Sequence, residues 1–345
     1  MKTAVVILNW NGVNLLKEFI PPLLSSCEGI AEVIVADNAS TDNSVEWLRN
    51  THPGVRLILN RSNNGYAGGY NEALAQVEAD YYVLLNSDVE VTPNWIRVLQ
   101  DFMDRNPEVA VCQPKLRWHR VREKFEYAGA AGGYIDMLGY PFCRGRIFNS
   151  LEIDNGQYND TAETFWASGA CMMIRSEVFK KAGGFDESFF AHMEEIDLCW
   201  RILNMGYKIG YTDEAEVFHV GGATLPKNNP RKTFLNFRNN LSMLYKNLPW
   251  MLLVPVLAAR IFLDLVAAIK FLLEGDAPDF IAVLKAHAAF ASRVITGKIS
   301  RSSGIPSKLP KTVYRGSIVI DHYIKRKQTF AGLGFTVPSI QKKKA

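Results

Sequence analysis

The chain has 345 residues, 48% of them hydrophobic, which allows one large domain with a full core plus an appended segment and excludes a small disulfide-stapled scaffold. Its five cysteines (Cys27, Cys112, Cys143, Cys171, Cys199) form no CxxC pair and read as structural thiols in a reducing compartment. The net charge of +4 hides an asymmetry: from Ala291 onward twelve Lys and Arg stand against one acid, Asp321, so this tail carries +11 and residues 1–290 carry −7.

The first residues, MKTAVVILNW, hold too short an apolar stretch for a signal-peptide core, so they are expected to form the first strand of a cytosolic protein. Apolar runs follow at VVIL (5–8), VIVA (33–36), LIL (57–59) and YYVLL (81–85), separated by stretches of helical periodicity. Continuous rather than alternating apolar strands predict burial on both faces, and hence a mostly parallel sheet in an α/β architecture. Each run ends in a polar cluster: Asn9-Trp10-Asn11-Gly12, Asp37 to Asp42, Asn60 to Gly65, and Asn86-Ser87-Asp88. One such cluster is ordinary turn and capping chemistry. In a parallel sheet all four share one rim, where carboxylates, amides and free N–H groups suit a hydrogen-bonding, phosphate-bearing ligand.

Residues 127–158, rich in aromatics and glycine, give no assignable pattern. WASGACMMIRSEVFKKAGGFDESFFAHMEEIDLCWRILNMG (166–206) reads as strand, helix, glycine turn, loop and helix, with Glu194, Glu195 and Asp197 opening the last helix. Acids there complement the helix dipole. Adjacent carboxylates also raise one another's pKa, which equips one of them to accept a proton near neutral pH.

NLPWMLLVPVLAARIFLDLVAAIKFLLEG (247–275) is the most apolar stretch, but its uncharged run is too short for a bilayer crossing. Arg260, Asp264, Lys270 and Glu274 fall within an arc of about 120°, leaving an apolar remainder, and Phe280 to Ile295 has a similar polar side. With the basic tail these helices predict monotopic attachment to an anionic membrane surface. The alternatives are packing on the rest of the chain or in a homodimer. No nucleic-acid partner is expected, because the tail shows no reading module and the remainder is acidic.

VILNWNG, VADNASTDNS, NNGYAGGYN, LLNSDVEV, GACMMIRSEVF, GGFDESFFAHMEEIDLCWR and VFHVGGAT together resemble the inverting family 2 glycosyltransferases, and most of all their bacterial rhamnosyltransferase-like members that build surface polysaccharides. The resemblance spans roughly residues 3 to 240. It implies a GT-A fold, a single-sheet Rossmann-like domain over residues 1–240, with residues 241–345 as a helical, membrane-associating extension. It also implies a nucleoside-diphosphate sugar donor (UDP- or dTDP-linked, such as dTDP-rhamnose) and a saccharide or polyprenyl-linked saccharide acceptor, handled on the inner face of the cell membrane.

By the same resemblance Asp37 hydrogen-bonds the pyrimidine base, with Asn9 and Asn11 lining the nucleoside pocket. Asn64, Gly65 and Asn71 pass beneath the ribose and diphosphate, and Asn86 and Ser87 adjoin them. Asp88, with His219, would ligate a divalent cation, Mg²⁺ or Mn²⁺; the family's more usual first acid is here Asn86, which leaves one carboxylate for direct ligation. Glu195 takes the place of the general base, where the family more often has Asp. Glu194 and Asp197 would hold acceptor hydroxyls or the loop itself, and Trp166 is expected beside the acceptor. The rivals are a nucleotidyltransferase on a similar sheet and a non-catalytic sugar-nucleotide or saccharide-binding scaffold.

Overall fold

The computed structural model describes residues 1–221 and 229–340; Gly222, Ala223 and Thr224 of the VFHVGGAT motif and Lys342, Lys343 and Lys344 of the tail lie outside them. The four apolar runs become β1 (Thr3–Asn9), β2 (Glu32–Asp37), β3 (Arg56–Leu59) and β4 (Tyr81–Asn86), with α1 (Val13–Cys27), α2 (Ser44–Thr51) and α3 (Gly65–Leu74) between them. They pair in parallel in the order β4-β1-β2-β3. Asn9 lies in register with Asp37, and Leu8 with Asn86, so three of the four polar clusters begin at one level of the sheet. The third run departs from the expectation of burial on both faces: β3 is an edge strand with Leu59 half exposed.

Beyond β4 the sheet becomes mixed. β5 (Val89–Val91) and α4 (Trp95–Arg105) lead to the long β6 (Val109–Trp118). Later come β11 (Thr161–Thr164), β12 (Cys171–Arg175), α5 (Ser176–Lys181), α6 (Glu194–Asn204) and β13 (Lys208–His219). β12 inserts antiparallel between β4 and β6, and β13 runs parallel to β6. The end of β13 pairs antiparallel with β5, opposing His219 to Val89. That register carries a histidine from far along the chain to the residue after Asp88.

The segment that sequence patterning leaves unassigned forms a small antiparallel sheet, β7 (Gly133–Asp136), β8 (Pro141–Cys143), β9 (Arg146–Ile147) and β10 (Ser150–Leu151). After the helices α7 (Pro230–Asn247), α8 (Trp250–Leu273) and α9 (Ala277–Ile295), the chain returns to add β14 (Val313–Tyr314) beside β7. Strand periodicity is weak here because the strands are only two to four residues long and hold together through aromatic packing. Tyr134, Phe142, Tyr314, Phe330 and Phe335 form one ring cluster.

Two expectations about the C-terminal third are corrected. First, α8 is turned the other way round. Arg260 and Asp264 are not water-facing but fully buried: Asp264 accepts from Arg260 and Tyr140, with His287 Nε2 at 3.1 Å, and Arg260 also reaches Leu138 O and Asn240. The outward side carries Trp250, Met251, Val254, Phe262 and Leu273, each more than 60% exposed. With Arg260 and Asp264 paired inside and Lys270 left exposed in its last turn, this 24-residue helix is long and apolar enough to cross a membrane by length and composition, which counting uncharged residues had excluded. Second, the basic tail, for which the sequence suggested only attachment to a surface, packs in part on the rest of the chain. Ile318 N–H is held by Asp136, Asp321 pairs with Lys325 and Lys327, and Thr161 receives Ile340 on the large sheet. Residue 240 itself falls within α7, so the two halves of the chain share one continuous helix.

Candidate functional site

At the rim formed by β1 and β2 the polar residues hold one another. Asp37 is buried; its Oδ2 accepts from Asn9 Nδ2 at 2.9 Å and its Oδ1 from Ser40 N at 2.8 Å. Asn9 is wholly buried and therefore orients Asp37 rather than lining a pocket. Asn11, at φ 52°, accepts from Thr41 N at 2.7 Å and donates its own N–H to Ser40 Oγ. A carboxylate has about four lone-pair positions, so Asp37 keeps acceptor capacity after these two bonds. Between Asn9 and Asn11 stands Trp10, 45% exposed, an aromatic face at this rim that the motif reading passed over.

α3 opens on Asn64 and Gly65. Gly65 has φ +70°, and a Cβ there would lie 2.3 Å from the carbonyl oxygen of Phe190. Its glycine is demanded by this close approach as well as by the left-handed backbone. Phe190 O accepts from Tyr66 N at 2.7 Å, tying the loop before α6 to the α3 N-terminus. Asn71 serves the same loop and not a ligand: its amide exchanges hydrogen bonds with Phe185 N and Phe185 O and reaches Glu187.

Past β4, Asn86 and Ser87 are half-buried and Asp88 is buried. Asp88 Oδ1 lies 3.1 Å from His219 Nε2, its Oδ2 accepts from Gly221 N at 3.2 Å, and Asn86 Nδ2 is 3.5 Å from His219 Nε2. On the other side of the ring, Glu126 Oε1 stands 3.1 Å from His219 Nδ1. Burial alone would lower the His219 pKa, but the carboxylates of Asp88 and Glu126 outweigh it and hold the imidazole up at about 10. Among the described residues no cluster of three His, Cys, Asp or Glu converges on one point.

A divalent cation nevertheless fits the pair. Two ligands about 2.1 Å from a metal at right angles are about 3.0 Å apart, close to the spacing of Asp88 Oδ1 and His219 Nε2. Glu126, 3.1 Å from Nδ1 but without a well-aligned hydrogen bond to it, would then stand in the outer position of a carboxylate–histidine–metal arrangement and steady the ring. Asp88 and His219 leave most of the coordination shell to phosphate oxygens and water.

The loop into α6 is the most distorted backbone near the site, with Phe190, His192 and Met193 all at positive φ of 65–72°. Asn239 of α7, fully buried, holds it: its Nδ2 reaches the carbonyls of Phe189, Ala191 and His192 at 2.8–2.9 Å. Directly after the loop come Glu194 and Glu195, each with an enclosed Oε2 that has no partner. Burial raises both carboxyls, Glu194 further through its neighbour, and Glu195 is pushed up to about 7. Desolvation, rather than repulsion between the adjacent carboxylates, is the larger cause at both.

Asp197 is a structural anchor. It is fully buried and accepts from Arg201 at 2.8 Å, Lys246 at 3.0 Å and Asn247 at 2.8 Å, so of the two roles expected for it the structure fits the one inside the protein. Trp166 is likewise removed from the acceptor's surroundings: it is 3% exposed, donates its indole N–H to Tyr134 O, and lies where a Gly133 Cβ would meet its ring at 2.1 Å.

Residues 4–183 match the glycosyl transferase family 2 model. The chain belongs to this family. Among its relatives are the N-acetylglucosaminyl-diphospho-decaprenol L-rhamnosyltransferase of Mycobacterium tuberculosis, 29% identical over 59% of this chain and 71% of that one, and the O-antigen chain rhamnosyltransferase WbaN of Salmonella anatum, 26% identical over 60% of each. The fold is GT-A-like. It is similar to GalNAc-T7 with UDP, GalNAc and Mn²⁺ (TM-score 0.56, 14% identity, 72% of this chain and 48% of that one) and to the mannosyltransferase PcManGT from Pyrobaculum calidifontis with GDP-Man and Mn²⁺ (TM-score 0.51, 18% identity, 86% and 79%). The chain thus spans about half of the first of these structures. Membership of a glycosyltransferase family sets aside the nucleotidyltransferase and scaffold rivals.

Proposed function

We propose that this family 2 enzyme transfers a sugar, with inversion, from a nucleoside diphosphate to a hydroxyl of a lipid-linked saccharide in surface-polysaccharide synthesis. The observation that carries the reading is the link between two half-sites. The loop that ends in Glu194 and Glu195 is hydrogen-bonded through Phe190 O to the N-terminus of α3, which opens on the rim shared by Asp37 and Asp88. A donor on the rim and a base at α6 are thereby built as one unit.

In this reading Asp37 accepts from the N3–H of a uracil or thymine, the exposed Trp10 offers a face to the base, and Asn11 fixes the turn beside it. Asp88 and His219 would hold a divalent cation, which when bound neutralises charge on the departing diphosphate. Glu195, poised near neutral pH, takes the proton from the attacking acceptor hydroxyl. The new bond forms at the anomeric carbon from the face opposite the leaving phosphate, whose bond to that carbon breaks with both electrons. A single displacement of this kind inverts the centre.

The relatives support this assignment through their names, one of which specifies a diphospho-decaprenol-linked acceptor. The outward apolar side of α8 supports work at the inner membrane surface, since Arg260 and Asp264 are turned inside and the large exposed side chains are apolar up to Lys270 in the last turn. The test is a thermal-shift series with UDP-, dTDP- and GDP-sugars, each with Mn²⁺ or with EDTA. Stabilisation by a pyrimidine sugar nucleotide that EDTA abolishes is expected; equal response to GDP-sugars, or to none, overturns the donor assignment.

A further inference from the structure

Outside the donor rim, the least balanced charge near the site lies where α7 and α9 meet the loop before α6. Ser188 sits in that loop and receives two arginines. Arg238 of α7 donates through Nη2 to Ser188 O at 3.0 Å and Phe189 O at 3.1 Å and through Nε and Nη2 to Asn239 Oδ1, which leaves its Nη1 for a ligand, and Arg293 of α9 donates through Nη2 to Ser188 Oγ. The nearby acids are already spent: Asp186 on Lys246 at 2.5 Å, Asp197 on Arg201 and the same lysine. Glu187 faces the other way, toward Asn71. Neither Arg238 nor Arg293 has an ion-pair partner among the described residues, and Arg293 Nη1 is enclosed without a hydrogen-bond partner.

Asp186 offsets only part of the cost of bringing two guanidinium groups to one serine. Burial and then the charge of Arg293 pull Arg238 down to about 10, and burial lowers Arg293. Arg231 adds a third cation at this end of α7, stacked 4.9 Å from the Phe190 ring. A planar donor fork is suited to phosphate oxygens. α9 also presents the exposed Ile281, Leu284 and Ile295, on the side of the helix turned away from Arg293.

We propose that Arg238 and Arg293 bind the phosphate groups of the lipid-linked acceptor. This rests on the transferase reading above and specifies its acceptor as a lipid phosphoester or diphosphate. The placement has a chemical logic: when the acceptor carries one sugar on its diphosphate, only that ring separates the phosphates from the attacked hydroxyl. A phosphate clamp on Ser188, six residues before Glu194, would deliver that hydroxyl to the base.

The test uses the full chain in neutral detergent with EDTA, so that the donor rim has no metal, and measures binding of farnesyl diphosphate, farnesol and phosphatidylglycerol. Wild type is expected to prefer farnesyl diphosphate over farnesol by about tenfold to a hundredfold, as two charged hydrogen-bonding groups would give. Arg293→Gln should reduce that preference to within about threefold and Arg293→Lys should keep part of it, while UDP with Mn²⁺ binds all three proteins alike. The proposal is overturned if wild type does not distinguish farnesyl diphosphate from farnesol, or if Arg293→Gln keeps the preference. It is also overturned if phosphatidylglycerol competes equally per phosphate, which assigns the pair to bulk headgroups, or if Arg293→Gln loses UDP to the same degree. A wild type that binds farnesyl diphosphate but no UDP would refute the donor assignment and leave this one standing.

Discussion

Replacing Glu195 by Gln should abolish transfer and stabilise the fold, and the two effects have one cause. Glu195 ionises ordinarily at 4.5 but near 7 in the folded chain, because burial penalises the charged form. The folded state therefore holds the proton more tightly than the unfolded one. The neutral acid's contribution to stability is fully present below pH 4.5 and is lost as pH rises through about 7. A gap of about 2.5 pH units at 1.36 kcal/mol each gives about 3 kcal/mol by pH 8, an upper bound because Glu194 shares the proton equilibrium. Gln has the same shape and never ionises. The variant should thus match wild type in urea unfolding at pH 4.5 and exceed it by roughly 2–3 kcal/mol at pH 8, with turnover reduced about 10²- to 10⁴-fold and UDP–Mn²⁺ binding nearly intact. Equal stability differences at both pH values, or retained turnover, would refute the assignment of Glu195 as the buried base.

Glu126→Gln should weaken Mn²⁺-dependent donor binding about 10- to 100-fold by releasing the His219 ring, as read by calorimetry with UDP; unchanged Mn²⁺ dependence would remove Glu126 from the site. Phe262→Glu combined with Leu265→Glu, on the outward side of α8, should abolish flotation of the protein with phosphatidylglycerol liposomes while leaving the soluble UDP–Mn²⁺ affinity unchanged, and equal flotation sinks the membrane reading.

Much of the donor half was legible because its residues act close to where they stand in sequence. Polar clusters after apolar strands need only a parallel register to share a rim, and Asn9, Asp37 and Asn86 do so. What misled were residues whose role depends on a distant partner. Asn71, Asp197 and Trp166 carry the right chemistry in the right motif, yet each is consumed by a neighbour that no local pattern reveals: Phe185, Lys246 and Gly133 respectively. Glu126 lies in the unpatterned segment and meets His219 only through the sheet. α8 was read inside out because periodicity identifies a polar arc without saying whether it faces water or Asp264's buried partners. A usable signal did exist for Asn239 and Asn240: two adjacent asparagines in LNFRNNLSML compete with helical hydrogen bonding, so their presence inside a helix requires tertiary partners.

That pair changes how the chain divides. A boundary at residue 240 separates a transferase domain from an accessory tail, but the base is held by atoms on both sides of it. Asn239 fixes three carbonyls of the loop that delivers Glu194 and Glu195, while about two turns further along the same helix Lys246 pairs with Asp197 inside α6 and Asn247 donates to it. Asn240 in turn lies against Arg260 of α8. Buried polar groups of this kind tolerate little displacement, because each lost bond leaves an unsatisfied partner at about 1–3 kcal/mol. Rigid connection therefore runs from the outward apolar helix, through α7, to the loop of the general base. On that account the C-terminal helices are part of the framework around the proposed base, and a surface that seated α8 would also bear on the position of Glu195.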